Sequence, residues 1–124
     1  MIYLDTHVVV WLYAGNTDSL SDSALNLIRE NDLGISPAVI LELGYLHEIG
    51  RVTVSGKEIV SDLFERIGLA ICQKHFPDII ANAFSMTWTR DPFDRIITGH
   101  ASLDNSILLT KDRTILANYP HARW

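Results

Sequence analysis

The chain has 124 residues, 48% hydrophobic and 20% charged, the balance of a folded globular protein rather than a disordered one. Its formal charge of −5 argues against a broad basic surface as the means of holding nucleic acid. The single cysteine, Cys72, rules out an internal disulfide and the usual multi-cysteine zinc sites. Runs such as Val8–Leu12 are too short to cross a bilayer, and Met1–Asp5 lacks the basic start of a signal peptide. One cytoplasmic domain over residues 1–124, with no membrane partner, is expected.

Ile2–Leu4 reads as a buried strand, and Thr6–Tyr13 as a helix that Gly15 ends. Ser21–Glu30 has helical spacing of Ala24, Leu25, Leu27 and Ile28, and Leu33–Ser36 is a second strand. Pro37 opens a helix to Ile49, at the position proline favours. Lys57–Ile67 is amphipathic, Leu69–Cys72 a third strand, and Asp78–Trp88 and Pro92–Leu103 two more helices. Ser106–Thr110 is the clearest strand, and Ala122–Trp124 a short edge strand. Short apolar strands alternating with helices imply a mostly parallel sheet of four to five strands covered on both faces. Ligands in such folds bind beyond the carboxyl ends of the strands.

Four acids fall where that rule matters. Asp5 follows the first strand and Asp112 the fourth; each alone is best read as a helix cap or a turn residue. In the helix after Pro37, Ala38, Val39, Glu42, Tyr45, Leu46 and Ile49 share one face, so Glu42 interrupts an apolar stripe. A buried, unpaired carboxylate is strongly unfavourable or stays protonated. Either a salt bridge or a metal ion would relieve it, and the pattern does not separate the two. Asp91 is a natural N-cap before Pro92; Asp94 then sits at the third helical position, favoured by the helix dipole but also able to point into the crevice. His7, His47, His75, His100 and His121 are scattered and read as core or surface residues. Trp11, Trp88 and Trp124 fit packing better than base stacking.

Together these segments resemble the PIN-domain family, in particular the VapC-type toxins of toxin–antitoxin pairs. Asp5-Thr6-His7 with Trp11-Leu12 matches its opening, and Ser36-Pro37 through Glu42 its second acidic motif. Asp91-Pro-Phe-Asp94-Arg95-Ile-Ile with Ala101 is close to its third, and Leu108-Leu-Thr110-Lys-Asp112 is similar to its fourth. Thr98-Gly99-His100 departs from a more alanine-rich stretch. The resemblance implies a PIN-like three-layer α/β fold and a ribonuclease with Asp5, Glu42, Asp94 and Asp112 around one or two Mg²⁺ or Mn²⁺ ions. Such hard cations prefer oxygen ligands and activate water for phosphodiester hydrolysis. Thr6 and Thr110 are placed to hydrogen-bond a ligand carboxylate or water. Arg90, Arg95, Lys111 and Arg113 are candidates to meet RNA phosphates, against the commoner role of solvated surface charge.

The resemblance further implies a VapB-type antitoxin as partner. The apolar patch expected to receive it comprises Val8, Val9, Trp11, Leu12 and Tyr13, with Leu25 and Ile28. The same residues could fill the core and pair two chains into a homodimer. A free-standing PIN nuclease and a non-catalytic interaction protein are the alternatives. An aspartyl phosphatase needs an acid where His7 stands, and a receiver domain needs an aspartate after the third strand, where Gln73-Lys74-His75 follows.

Overall fold

In the computed structural model, which describes residues 1–124, the central strand β1 (Ile2–Leu4) is completely apolar and buried. Parallel to it on one side lie β2 (Leu33–Ile35) and β3 (Ala70–Ile71), and on the other β4 (Leu108–Leu109) and β5 (Ala122–Arg123). The order β3-β2-β1-β4-β5 is parallel throughout, with Tyr3 registered between Gly34 and Leu108. Parallel neighbours require crossovers, and the chain supplies helices for them: α1 (Thr6–Ala14), α2 (Asp22–Glu30), α3 (Pro37–Glu48), α4 (Gly56–Ile67), α5 (Phe76–Ala83), α6 (Pro92–Ser102) and α7 (Arg113–Asn118). No helix is long and apolar enough to cross a membrane.

The strand order explains where a site can form. From β1 the chain moves through β2 to β3; it then crosses back to β4 and continues outward to β5. The connections therefore diverge at the β1–β4 pair, and a crevice opens beyond the carboxyl ends of those two strands. Asp5 and Thr110 are the residues that leave them.

Local chemistry sets the helix ends. Ser21, Ser36, Ser55, Asp91 and Asp112 each accept a backbone N–H in the first turn of α2, α3, α4, α6 and α7. Such caps each contribute about 1 kcal/mol. Gly15 ends α1 with φ +68°, a backbone state closed to most side chains. Gly99 has a different role. A Cβ there would stand 3.0 Å from the Ile79 carbonyl oxygen and 3.3 Å from the Ala83 nitrogen, so glycine lets α6 lie against the backbone of α5. The departure from an alanine-rich helix is thus a close-packing device.

Three expectations require correction. The helix expected over Asp78–Trp88 runs from Phe76 to Ala83: Pro77 fits its first turn, and Ser85 Oγ donates to the Asn82 carbonyl (2.8 Å) where the chain leaves helical geometry. A short 3-10 turn at Thr17–Ser19 was not expected, whereas α7 is the short helix that the cap reading of Asp112 offered. On α3 the buried positions are Val39 and Leu43, whereas Tyr45 and Ile49 are about half exposed. Nearly every residue of Pro37–Leu46 is apolar, so periodicity alone could not fix which face turns inward.

His100, in the last turn of α6, is fully buried with its ring 5.1 Å from that of Tyr3, and neither ring nitrogen has a partner. Lys74 Nζ donates to the His100 carbonyl (2.8 Å) and to Asp104 (2.9 Å), and lies 4.6 Å from the Tyr3 ring centroid. Burial, and then the Lys74 charge, push the His100 pKa down to about 4, against a smaller opposing pull from Asp104. A lowered histidine stabilises the fold fully above the unfolded pKa near 6.5, and that stability drains as pH falls towards 4. His100→Leu is therefore expected to flatten this part of the profile. Melting temperatures of the two proteins across pH 4–7 test it; parallel curves would show that the ring does not titrate in this way.

Candidate functional site

Asp5 leaves β1 and is almost wholly buried, at 7% exposure. One carboxylate oxygen accepts the Thr6 backbone N–H (2.8 Å), and the other accepts the Thr110 hydroxyl (2.7 Å). Thr110 Oγ1 in turn accepts the Asp112 backbone N–H (3.0 Å), which ties the turn after β4 to the acid after β1. Asp112 caps α7 through the Ile115 N–H (2.9 Å). The Thr6 hydroxyl donates to Glu42 Oε1, so the start of α1 holds one acid by its backbone and another by its side chain. Asp91 Oδ1 caps α6, accepting from Phe93 (2.8 Å) and Asp94 (3.2 Å) N–H groups.

These residues surround one cleft of about 330 Å³, lined by Asp5, His7, Val8, Trp11, Glu42, Asp91, Asp94, Lys111 and Asp112. All four expected acids meet there, and Asp91, read in the sequence only as a cap, joins them. Its position three residues before Asp94, at the start of the same helix, was the available signal. Larger and more apolar hollows exist, such as the roughly 520 Å³ groove between α4 and β3, but none gathers ionisable groups in this way.

The electrostatics are those of uncompensated negative charge. Desolvation is the largest cause raising Asp94, to about 7, and Asp91, Asp5, Asp112 and Glu42 each add repulsion. Desolvation likewise raises Glu42, opposed by the Thr6 hydroxyl and reinforced by Asp5 and Asp91. Asp5 is raised by burial against the hydrogen bonds from Thr110 and Thr6. The ion pairs of the protein lie elsewhere, at Arg66–Asp62, Lys74–Asp104 and His75–Asp78. Glu42 therefore lacks the salt bridge that the sequence left open. It also lies at the margin of the α3 core face rather than mid-stripe.

A divalent cation fits this donor set of carboxylate oxygens, none of which is ion-paired although Lys111 stands at the cleft. No three acidic, histidine or cysteine side chains converge tightly enough to enclose an ion alone. An ion bound there would need water as well as these carboxylates to complete its shell, as Mg²⁺ commonly does.

Of the four basic candidates, only Lys111 lines the cleft. Arg95 is used locally, its Nε donating to the Thr89 carbonyl (2.8 Å). Arg90 and Arg113 are exposed beside the first turns of α6 and α7.

An all-parallel sheet whose switch point opens onto a cluster of carboxylates defines an α/β domain of the acidic-cleft type. The family model for the PIN domain matches residues 2–121, and the chain belongs to that family. Three solved structures share the fold. VapBC2 from Rickettsia felis, bound to a DNA fragment from its promoter, is 21% identical with a TM-score of 0.66, over 98% of this chain and 96% of that one. A toxin–antitoxin complex from Klebsiella pneumoniae is 16% identical with a TM-score of 0.70, over 100% and 97%. DNA-bound VapBC from Salmonella typhimurium is 20% identical with a TM-score of 0.63, over 99% and 96%. None of the curated proteins matches in sequence.

Proposed function

We propose that the chain is a Mg²⁺- or Mn²⁺-dependent endoribonuclease acting in the cytoplasm as the toxin of a VapBC-type pair. The observation that carries this reading is the convergence of Asp5, Glu42, Asp91, Asp94 and Asp112 on one cleft without an ion-pair partner. Bound there, a divalent ion would supply an activated water and charge stabilisation for phosphodiester hydrolysis. The protein's own part is positional. Thr110 and Thr6 fix the carboxylates of Asp5 and Glu42, and the first turns of α6 and α7 hold Asp94 and Asp112 at the same edge. Lys111 meets a substrate phosphate at the rim, while exposed Arg90 and Arg113 are available to phosphates farther along the strand. Arg95, already committed to Thr89, contributes least.

Metal-dependent RNA cleavage by the pure protein, measured with Mg²⁺ and Mn²⁺, tests the reading; no cleavage of any RNA would favour a non-catalytic interaction protein. Thr110→Val keeps the shape at β4 but removes the hydroxyl holding Asp5. Loss of such a supporting hydrogen bond typically weakens metal affinity or activity 10- to 100-fold. Wild-type metal affinity in this variant would show that Asp5 needs no such support.

The structural relatives are toxin–antitoxin complexes, which supports a VapB-type partner. Part of the patch read in the sequence is closed to a partner. Val8 and Val9 are fully buried in the core, and Trp11, Leu12, Tyr13, Leu25 and Ile28 are half-buried against it. Exposed apolar side chains include Leu41 and Tyr45 on α3 with Ile49 just after it, Phe64 and Ile71 at the α4–β3 groove, and Phe76 and Phe84 at the two ends of α5. We propose that the antitoxin and a second copy of the chain draw on these exposed apolar faces. Growth arrest on expression alone, relieved by the neighbouring gene, supports the toxin role; harmless expression with active nuclease identifies a free-standing PIN nuclease.

A further inference from the structure

A second hollow shares no residue with the acidic cleft. It measures about 450 Å³ and lies beside α5, α6 and the turns that lead into β4 and β5, towards the amino ends of those strands. That volume falls within the range of small-molecule sites. Asn82, Asn105 and Asn118 line it together with Trp88 and His121, whereas no lysine, arginine, aspartate or glutamate does. The lining is therefore uncharged and rich in amides, with two half-buried rings beside them.

Several of these groups are held in place but left unused. Thr98, on the α6 side of the hollow, is fully buried, and its hydroxyl has no hydrogen-bond partner. A threonine inside a helix can satisfy that hydroxyl on a carbonyl of the preceding turn, which this one does not do. Asn82 Nδ2 donates to Ser102 Oγ, and Asn118 Nδ2 to the Thr114 carbonyl (2.8 Å). Both amides are thereby oriented, with their oxygens open to a donor. Asn105 stands exposed at the rim with φ +55°, a backbone state that asparagine tolerates better than most side chains. His121 is edge-on to Tyr119, with ring centroids 5.8 Å apart, and the Tyr119 hydroxyl donates to the Ser106 carbonyl (2.6 Å).

Charge and hydrogen bonding select the ligand. A phosphate or carboxylate meets no cation in this lining, and a nucleic-acid strand carries a phosphate at every step. An amide side chain sets a donor beside an acceptor, which matches the edge of a nucleobase, and an aromatic ring covers its face. We propose that this hollow binds a free, uncharged nucleoside, its base edge held by the asparagine amides and the Thr98 hydroxyl and its face by Trp88 or His121. The site stands apart from the cleft and does not depend on the nuclease reading.

NMR titration of the isotope-labelled protein with adenosine and with uridine tests it. At least one of them is expected to shift the Trp88 indole N–H and the Thr98 methyl signals saturably at up to millimolar concentration. AMP or UMP should bind no more tightly than the corresponding nucleoside. Asn105→Gly keeps the backbone state and removes the amide, and Thr98→Val keeps the shape and removes the hydroxyl. Each should weaken binding roughly two- to tenfold, the effect of one neutral hydrogen bond. Thr98→Val should at the same time raise the melting temperature of the free protein, because a buried hydroxyl without a partner is unfavourable. Loss of affinity alongside that gain separates a binding role from a structural one. No saturable shift with either nucleoside, equal shifts with glucose, tighter binding of the nucleotide, or wild-type affinity in both variants overturns the proposal. Shifts confined to the Trp11 indole place the ligand in the acidic cleft and overturn it as well.

Discussion

Asp94→Asn is expected to lower RNA cleavage by at least about a hundredfold and, at the same time, to raise the melting temperature of the metal-free protein at pH 8. The two effects have one cause. Asp94 is desolvated and faces Asp91, Asp5, Asp112 and Glu42, which together lift its pKa to about 7. At pH 8 the wild-type side chain is ionised against that repulsion, and the amide is not. A gain of 1 kcal/mol would appear as roughly 3–5 °C in a domain of this size. As pH falls below about 7 the wild-type carboxyl takes up its proton, so the gap between the two melting temperatures should narrow and close only below the unfolded pKa near 3.8. The loss of activity follows because an amide is a poorer ligand for a hard cation than a carboxylate, and one missing oriented group commonly reduces kcat by 10²–10³. Asp5→Asn should behave alike, its amide still accepting from the Thr6 N–H and donating to Thr110 Oγ1. Full cleavage in either variant, with the fold intact by circular dichroism, would remove these residues from the site.

The strands and most helix boundaries were legible because their determinants are local. Ile2–Leu4 is short, apolar and followed by a capping acid, and Ser36-Pro37 can hardly do other than begin a helix. The site was legible for a related reason: Asp5, Asp94 and Asp112 sit at helix starts or strand ends, where position follows from element order. What failed was information held in tertiary contacts. The inward face of α3 is chosen by packing on α4 and α6, not by its own uniformly apolar sequence. Val8 and Val9 looked available for a partner because nothing local shows that α1 turns both of them into the core. Asp91 could be read as a cap but not as a wall of the cleft, since capping accounts fully for an aspartate before proline. The contact of Trp11 with Trp124, whose ring centroids lie 5.8 Å apart, is the extreme case: the two lie at opposite ends of the chain and meet because β1 and β4 are neighbours and β5 joins the same edge.

Millimolar Mg²⁺ or Mn²⁺ is expected to raise the melting temperature by roughly 10 °C at pH 8 and by much less at pH 5. The sign follows from the acids. Asp94, Glu42 and Asp5 all have folded pKa values above the ordinary carboxylate range, so between pH 4 and 7 the native state binds more protons than the unfolded chain. Metal-free stability from these groups is therefore greatest below the unfolded pKa near 3.8 and is lost as pH rises through about 7. His100 acts in the opposite sense over its own window, so the comparison is made between metal-loaded and metal-free protein at each pH, where its contribution cancels. An ion that binds the native cleft replaces the protons, which makes its affinity climb with pH and level off above about 7. At a hundredfold excess over Kd it stabilises by about 2.7 kcal/mol, the origin of the expected shift. Calorimetry in buffers of different ionisation enthalpy should register proton release on binding at pH 6 and little at pH 8.5. Asp94→Asn should largely abolish both the shift and the proton release. A melting temperature indifferent to either cation at pH 8 would mean that the acids are not a metal site, and their mutual repulsion would then need another counter-charge, such as a basic side chain brought by a partner.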